Sequence, residues 1–226
     1  MATPVKQKKS PVLTLSRRKL ILGAAAGALA VAAGGAGLIV FKDQRWTDSE
    51  PYKRTGEAPA DTVVVVYSRS GNTLLAAREI ARSLDADLVQ IDAPAYPRSI
   101  AGQMRASDHA QEARVLTEIA HPEVDFEGYR KVVLCSPTWW FRPAIPMWAF
   151  ASASSFHGSE VSLFLTGNSR YEVSNIEAFG ELVQKRGGRF AGHAFVSRGR
   201  VAWQLSAEEL SAKVRTLIEQ TPHLRG

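Results

Sequence analysis

Three hydroxyls, an amide and a glycine stand together in Ser68-Arg69-Ser70-Gly71-Asn72-Thr73, between an apolar stretch and an amphipathic one. Where a strand hands over to a helix, successive backbone N–H groups point outward and the helix N-terminus has no internal partner for them, which makes an anion site. The hydroxyls add donors for phosphate oxygens, and Gly71 lets the backbone turn tightly around them. The loop has no Gly-Lys-Ser/Thr, so it is not a nucleoside-triphosphate loop, and it has no Gly-x-Gly-x-x-Gly dinucleotide fingerprint. On these residues alone, an ordinary strand–helix turn with an Asn or Ser cap stays open.

Two further segments carry candidate chemistry. In Ser136-Pro137-Thr138-Trp139-Trp140-Phe141-Arg142-Pro143, aromatic side chains follow an apolar run. Exposed aromatics after a strand need a ligand or a partner, and indole faces suit a flat, electron-poor ring. The alternative is that one or both Trp residues cap the sheet as core. Thr166-Gly167-Asn168-Ser169-Arg170-Tyr171 follows another apolar run. There Gly167 allows close approach of backbone N–H groups to a ligand; a plain polar turn is the alternative.

Other chemistries lack their residues. The five His show no metal-ligand spacing and no His-Glu-x-x-His. Ser70 lies in Ser-x-Ser-Gly rather than Gly-x-Ser-x-Gly, which argues against a hydrolase elbow. A phosphoacceptor receiver domain needs acids where Tyr67 and Ser68 stand. Cys135, the single cysteine, permits no intrachain disulfide and sits inside an apolar run as a small core residue.

The elements that must position these loops alternate regularly. Strands are expected at Thr62–Tyr67, Asp87–Ile91, Lys131–Ser136, Val161–Thr166 and Phe190–Val196. Helices are expected at Asn72–Leu84, Gln103–Ile119, Ile145–Ala153, Ile176–Arg186 and Ser206–Gln220. Gly187-Gly188 is a helix stop and Ser206-Ala207-Glu208-Glu209 a capping box. The continuous β-branched run Thr62–Tyr67 predicts a strand buried on both faces. Five strands alternating with helices predict an α/β fold: a doubly wound five-stranded parallel sheet with helices on both faces. Right-handed crossovers then put ligands at the C-terminal edge of the strands, where all three loops fall.

The net charge of +6 is unevenly spread. Residues 1–45 carry eight basic groups and one acid, +7; the rest carries 20 basic and 21 acidic groups, −1. The domain therefore lacks the electrostatic footprint of a nucleic-acid binder. Leu20–Phe41 is 22 residues without a charge, eight of them Ala and five Gly, and it follows Ser16-Arg17-Arg18-Lys19. This resembles a twin-arginine export signal, with Leu22 where Lys is common. Residues 1–41 are expected to be such a signal, cut after small residues such as Ala30-Val31-Ala32, or to remain as an anchor with its positive charges in the cytoplasm. The expected location is periplasmic or extracytoplasmic. Residues 42–60 read as a linker, and 61–226 as the domain.

Tyr67-Ser68-Arg69-Ser70-Gly71-Asn72-Thr73, with Ala77 four residues on, resembles the phosphate loop of the flavodoxin family, and the resemblance runs to the end of the chain. It implies a flavodoxin-like fold with non-covalently bound FMN. Ser68, Ser70, Asn72 and Thr73 would hold the ribityl phosphate, with Arg69 and Gly71 giving backbone N–H groups. Pro137, Thr138, Trp139 and Trp140 match a Pro-x-Trp-Trp-Gly segment that lies beside the isoalloxazine ring in many members. Phe141 stands where that segment has Gly. Thr166, Gly167 and Asn168 fall where the family closes on the ring's other side. The implied function is electron transfer, with a redox partner protein or a small acceptor such as a quinone. An FMN-dependent NAD(P)H or quinone oxidoreductase, and a membrane-tethered interaction module with a decayed flavin site, remain as alternatives.

Overall fold

β1 (Thr62–Tyr67) is buried along its whole length. Its side chains alternate between two separate cores, with Val63, Val65 and Tyr67 on one face and Val64 and Val66 on the other. A strand buried on both faces has no polar side to show, which is why its sequence is an unbroken β-branched run. Each such valine contributes about 1.5–3 kcal/mol through burial.

The structure is a computed structural model describing residues 51–112, 118–199 and 203–225. The export-signal reading of residues 1–41 therefore lies outside the described residues. In chain order, β1 is followed by α1 (Asn72–Leu84), β2 (Asp87–Ile91), α2 (Ile100–Gln111) and β3 (Lys131–Trp139). Then come β4 (Arg142–Pro143), α3 (Ile145–Ala153), β5 (Glu160–Gly167), α4 (Val173–Lys185), β6 (Arg189–Ser197) and α5 (Ala207–Gln220). The five long strands pair in parallel in the order β2-β1-β3-β5-β6.

Helices cover both faces. Leu74 and Ile80 of α1 join Leu210 and Val214 of α5 against Val64, Val133, Cys135 and Phe164. Ala106 of α2, Met147 and Phe150 of α3, and Phe179 of α4 close the other face over Val65, Leu134 and Leu163. Cys135 is fully buried, and burial pushes its thiol pKa up, so it behaves as a core residue. Among the described residues no helix is long and apolar enough to cross a membrane.

The sheet has six strands rather than the expected five. The sixth is β4, two residues pairing antiparallel with the end of β3, which itself runs three residues past Ser136. α2 starts at Ile100, earlier than expected, because the Ser99 side chain accepts a hydrogen bond from the Gly102 N–H at 3.1 Å and caps the helix there. It ends at Gln111. Residues 113–117 of the expected helix lie outside the described residues. α5 begins with the expected capping box: the Glu209 N–H donates to Ser206 Oγ at 3.1 Å, and the Ser206 N–H donates to the Glu209 carboxylate at 2.6 Å.

Part of the segment expected as a linker is docked. Tyr52 donates its hydroxyl to the carbonyls of Ala81 and Ala86 at 3.1 and 2.9 Å. Arg54 lies 3.2 Å from the Asp85 carboxylate and 3.3 Å from that of Asp87. These partners are at the end of α1 and the start of β2, on the N-terminal edge of the sheet.

Candidate functional site

Three loops leave the C-terminal edge of the sheet side by side, after β1, β3 and β5. Together they line a cleft of about 300 Å³, the lower end of the size range of small-molecule sites.

The first loop ends in Gly71, whose φ of +89° puts the N-cap of α1 in the left-handed region. No side chain caps this end of the helix. A glycine cap supplies the turn with no side chain of its own at the helix N-terminus, the end of a helix that attracts anions. Ser70, Asn72 and Thr73 line the cleft, and so does Arg69. Ser70 Oγ accepts from the Asn72 amide at 2.8 Å. Ser68 does not line it: its hydroxyl accepts from the Gly71 N–H at 3.1 Å and closes the loop from within. Gly71 likewise shapes the loop without lining the cleft.

The second loop is a two-residue hairpin. Trp139 pairs with Arg142 across it, and the central residues Trp140 and Phe141 have φ of +48° and +64°. Positive φ at both central positions is the requirement of a type I′ turn, normally met by Asn-Gly. Phe141, standing where the family's segment has Gly, thus takes a glycine-like backbone conformation, at a cost of about 1–2 kcal/mol. Such strain collects where a site demands a given backbone.

The two tryptophans divide their work. Trp139 is half-buried, with its ring edge-on to Tyr67 and Tyr96 at 5.5 and 5.0 Å. Trp140 is 48 % exposed, and its indole N–H donates to Ser107 Oγ at 2.9 Å. Both line the cleft with Pro137, Thr138 and Phe141. An aromatic wall therefore faces a hydroxyl-lined end.

The third loop supplies Thr166, Gly167 and Asn168, and the structure adds Ser169 and Arg170. Gly167 is required for packing: a Cβ there would stand 2.2 Å from Thr138 Oγ1 and 2.9 Å from the Phe195 ring. Arg170 stacks its guanidinium over the Phe141 ring at 4.6 Å, and the Glu172 N–H donates to the Phe141 carbonyl at 2.8 Å. The second and third loops thereby brace one another.

Two lining residues lie outside the three loops. Gln103, in the first turns of α2, hydrogen-bonds the Arg69 guanidinium. Arg198 immediately follows β6. The topology alone could have flagged it, since every strand of a parallel sheet delivers its next residue to the same edge. The charged lining residues are Arg69, Arg170 and Arg198, with no carboxylate among the lining. Among the described residues no cluster of His, Cys, Asp or Glu could hold a metal ion.

The arrangement suits a ligand with an anionic end and a flat end. The N-terminus of α1 and the loop hydroxyls suit the first, indole and phenyl faces the second. This fits a phosphorylated flavin on donor chemistry and on shape.

Known structures share the architecture. A flavoprotein from Lactobacillus acidophilus NCFM, solved in complex with FMN, is 23 % identical; the match covers 61 % of this chain and 93 % of that one, with a TM-score of 0.53. A protein from Bacteroides eggerthii DSM 20697 assigned to the flavoproteins is 17 % identical over 72 % of this chain and 98 % of that one, with a TM-score of 0.55. At these identities the likeness is one of fold. No curated protein matches the sequence significantly. The family model described as flavodoxin matches residues 61–187, which is more than half of the chain and includes all three loops, and the chain belongs to the flavodoxin family.

Proposed function

We propose that the domain binds FMN non-covalently and works as a redox protein in electron transfer. The observation that carries this reading is the continuity of one cleft from Ser70, Asn72 and Thr73 to Trp139, Trp140 and Phe141. The FMN-complexed fold relative supports it. The cofactor supplies the electron chemistry. The chain's residues hold its phosphate, flank its ring and exclude water from the inner face through Trp139. Tyr67, buried beneath the loop, keeps its proton because burial raises its pKa. None of the lining residues is a carboxylate or histidine placed to act as a general base.

A second reading, an FMN-dependent oxidoreductase of quinones or similar acceptors, is favoured by one observation. Trp140 leaves half its surface exposed at the cleft mouth, where a second flat molecule can stack. The electron donor is then NAD(P)H or a protein. We further propose that residues 1–41 carry the domain out of the cytoplasm as a twin-arginine signal or an inner-membrane anchor. Export of the folded domain would explain how a cofactor loaded in the cytoplasm travels with it.

The test is a visible spectrum of the purified protein, followed by extraction and identification of the chromophore. A bound flavin released as FMN is expected. A colourless protein that takes up no FMN in a titration overturns the reading and favours an interaction module with a lost cofactor. Steady-state NAD(P)H oxidation with a quinone separates the enzyme from the electron carrier, and cell fractionation of variants with Arg17 and Arg18 replaced by Lys checks the export route.

A further inference from the structure

We propose that Tyr96 and His109 form a one-electron, one-proton redox site, fed from the cleft through Trp139. The inference goes beyond cofactor binding and stands on side chains of this chain alone.

Three rings lead away from the cleft wall. Trp139 lines the cleft. The Tyr96 ring stands edge-on to it, with centroids 5.0 Å apart and an interplanar angle of 79°. The His109 ring lies 5.7 Å beyond Tyr96, again edge-on. At such separations aromatic rings are in contact, and an electron crosses without an intervening residue. Tyr96 is 3 % exposed. His109 is half-buried and lines a surface depression on α2 with Asp108 and Glu112. The row therefore runs from the cleft through the interior to the outer face of α2.

The chemistry separates two tyrosines. Tyr67 also meets the Trp139 ring edge-on, at 5.5 Å. Oxidation makes a phenol's proton strongly acidic. A buried phenol therefore gives up an electron readily only where a base takes that proton; otherwise a positive charge is stranded in an apolar interior. The described residues offer the Tyr67 hydroxyl no such base, whereas Tyr96 Oη lies 3.0 Å from His109 Nδ1. With its own proton on Nε2, the imidazole accepts there.

The step balances. A one-electron oxidant of the oxygen-radical class takes an electron from the Trp139 indole and is itself reduced. Tyr96 returns an electron to the indole as its phenolic proton passes from Oη to His109 Nδ1. The O–H bond breaks, an N–H bond forms, and the indole is restored. A neutral phenoxyl radical at Tyr96 and an imidazolium at His109 remain. A tyrosine that sheds its proton is easier to oxidise than an indole, which sets the direction. An oxidising equivalent that reaches the cleft wall is thus drawn off it, to a phenol screened from solvent.

Azide radicals made by pulse radiolysis oxidise tryptophan selectively and need no flavin. In the full chain, a tyrosyl spectrum is expected to grow as the indole radical decays, at a rate independent of protein concentration. Tyr96→Phe and Trp139→Phe should each remove that phase. His109→Gln keeps a hydrogen-bond acceptor but not a base, and should slow the phase at least fivefold with the melting temperature held. A smaller slowing overturns the proposal, because packing alone would then suffice. So does a phase that survives Tyr96→Phe, or the absence of any such phase in the unaltered protein. If an aromatic replacement fails to fold, His109→Gln, on the half-buried face of α2, decides alone. A protein that takes up no FMN but shows the phase sinks the FMN reading and keeps this one. An FMN-loaded protein without the phase does the reverse.

Discussion

The hydroxyls of Thr73 and Thr166 lie 2.8 Å apart, both buried, and join the first turn of α1 to the last turn-in of β5. Two hydroxyls carry two protons, and one hydrogen bond uses one of them. The second proton is left to donate elsewhere, and both residues line the cleft. Ser70 is placed similarly: its oxygen accepts from the Asn72 amide, so its own O–H remains available as a donor.

Removing these donors should therefore cost affinity rather than fold. Thr73→Val with Ser70→Ala is expected to weaken FMN binding by more than tenfold, since each charge-assisted hydrogen bond contributes about 1.5–3 kcal/mol. A flavin titration of the double variant, with its melting temperature as control, checks this. Unchanged affinity would remove the first loop from the site.

Gly167 tests the packing account of the third loop. Gly167→Ala forces a methyl group to within 2.2 Å of Thr138 Oγ1. Overpacking of this kind costs about 1–3 kcal/mol. At about 2–4 °C per kcal/mol for a domain of this size, the melting temperature should fall by roughly 2–12 °C. An unshifted melt would show that Thr138 swings away freely.

The hairpin tip makes a rank-order prediction. At Phe141, with its φ of +64°, Gly relieves strain and a β-branched residue adds to it. Phe141→Val should be less stable than Phe141→Gly by about 1–2 kcal/mol in urea unfolding. Equal stability of the two variants would mean that the positive φ is not held in solution.

A histidine pair sets an acid limit. Burial lowers the pKa of His193, and the charge on His223 lowers it further. Burial also lowers that of His223, and Lys131 adds to the effect, while a backbone hydrogen bond at His193 and the Glu160 carboxylate oppose it. With folded-state values below the unfolded value of about 6.5, the unfolded chain binds protons first as pH drops. The stability held by the neutral pair is present above about pH 6.5 and lost as pH falls through the folded values. Urea midpoints measured from pH 8 to pH 5 should decline below about 6.5, and His193→Asn should flatten that decline. A flat profile for the unaltered protein counts against the pair.

Much of this was legible in the sequence where one physical demand acted alone. β1 and α1 have their expected bounds because a doubly buried strand must be apolar throughout and Gly71 must break the chain before the helix. The hairpin was hidden. Trp140-Phe141 carries none of the Asn or Gly that marks a type I′ turn, and β4 is too short to show a period. Ser68 matches the phosphate-loop pattern as well as Ser70 does, yet its hydroxyl turns inward, a choice made by loop geometry that residue type does not encode. Arg198 sits far along the chain from the other lining residues, and only the strand order brings it to the cleft.

The docking of Tyr52 and Arg54 bears on how the domain can be cut free. Their clasp grips the floor of the molecule, while the three loops form its roof. A shortened protein starting at Pro51 keeps the clasp and leaves the roof untouched, whereas one starting at Asp61 strips the Ala81 and Ala86 carbonyls of their phenol and Asp85 of its arginine. The useful boundary for a working fragment thus lies about ten residues ahead of the first strand.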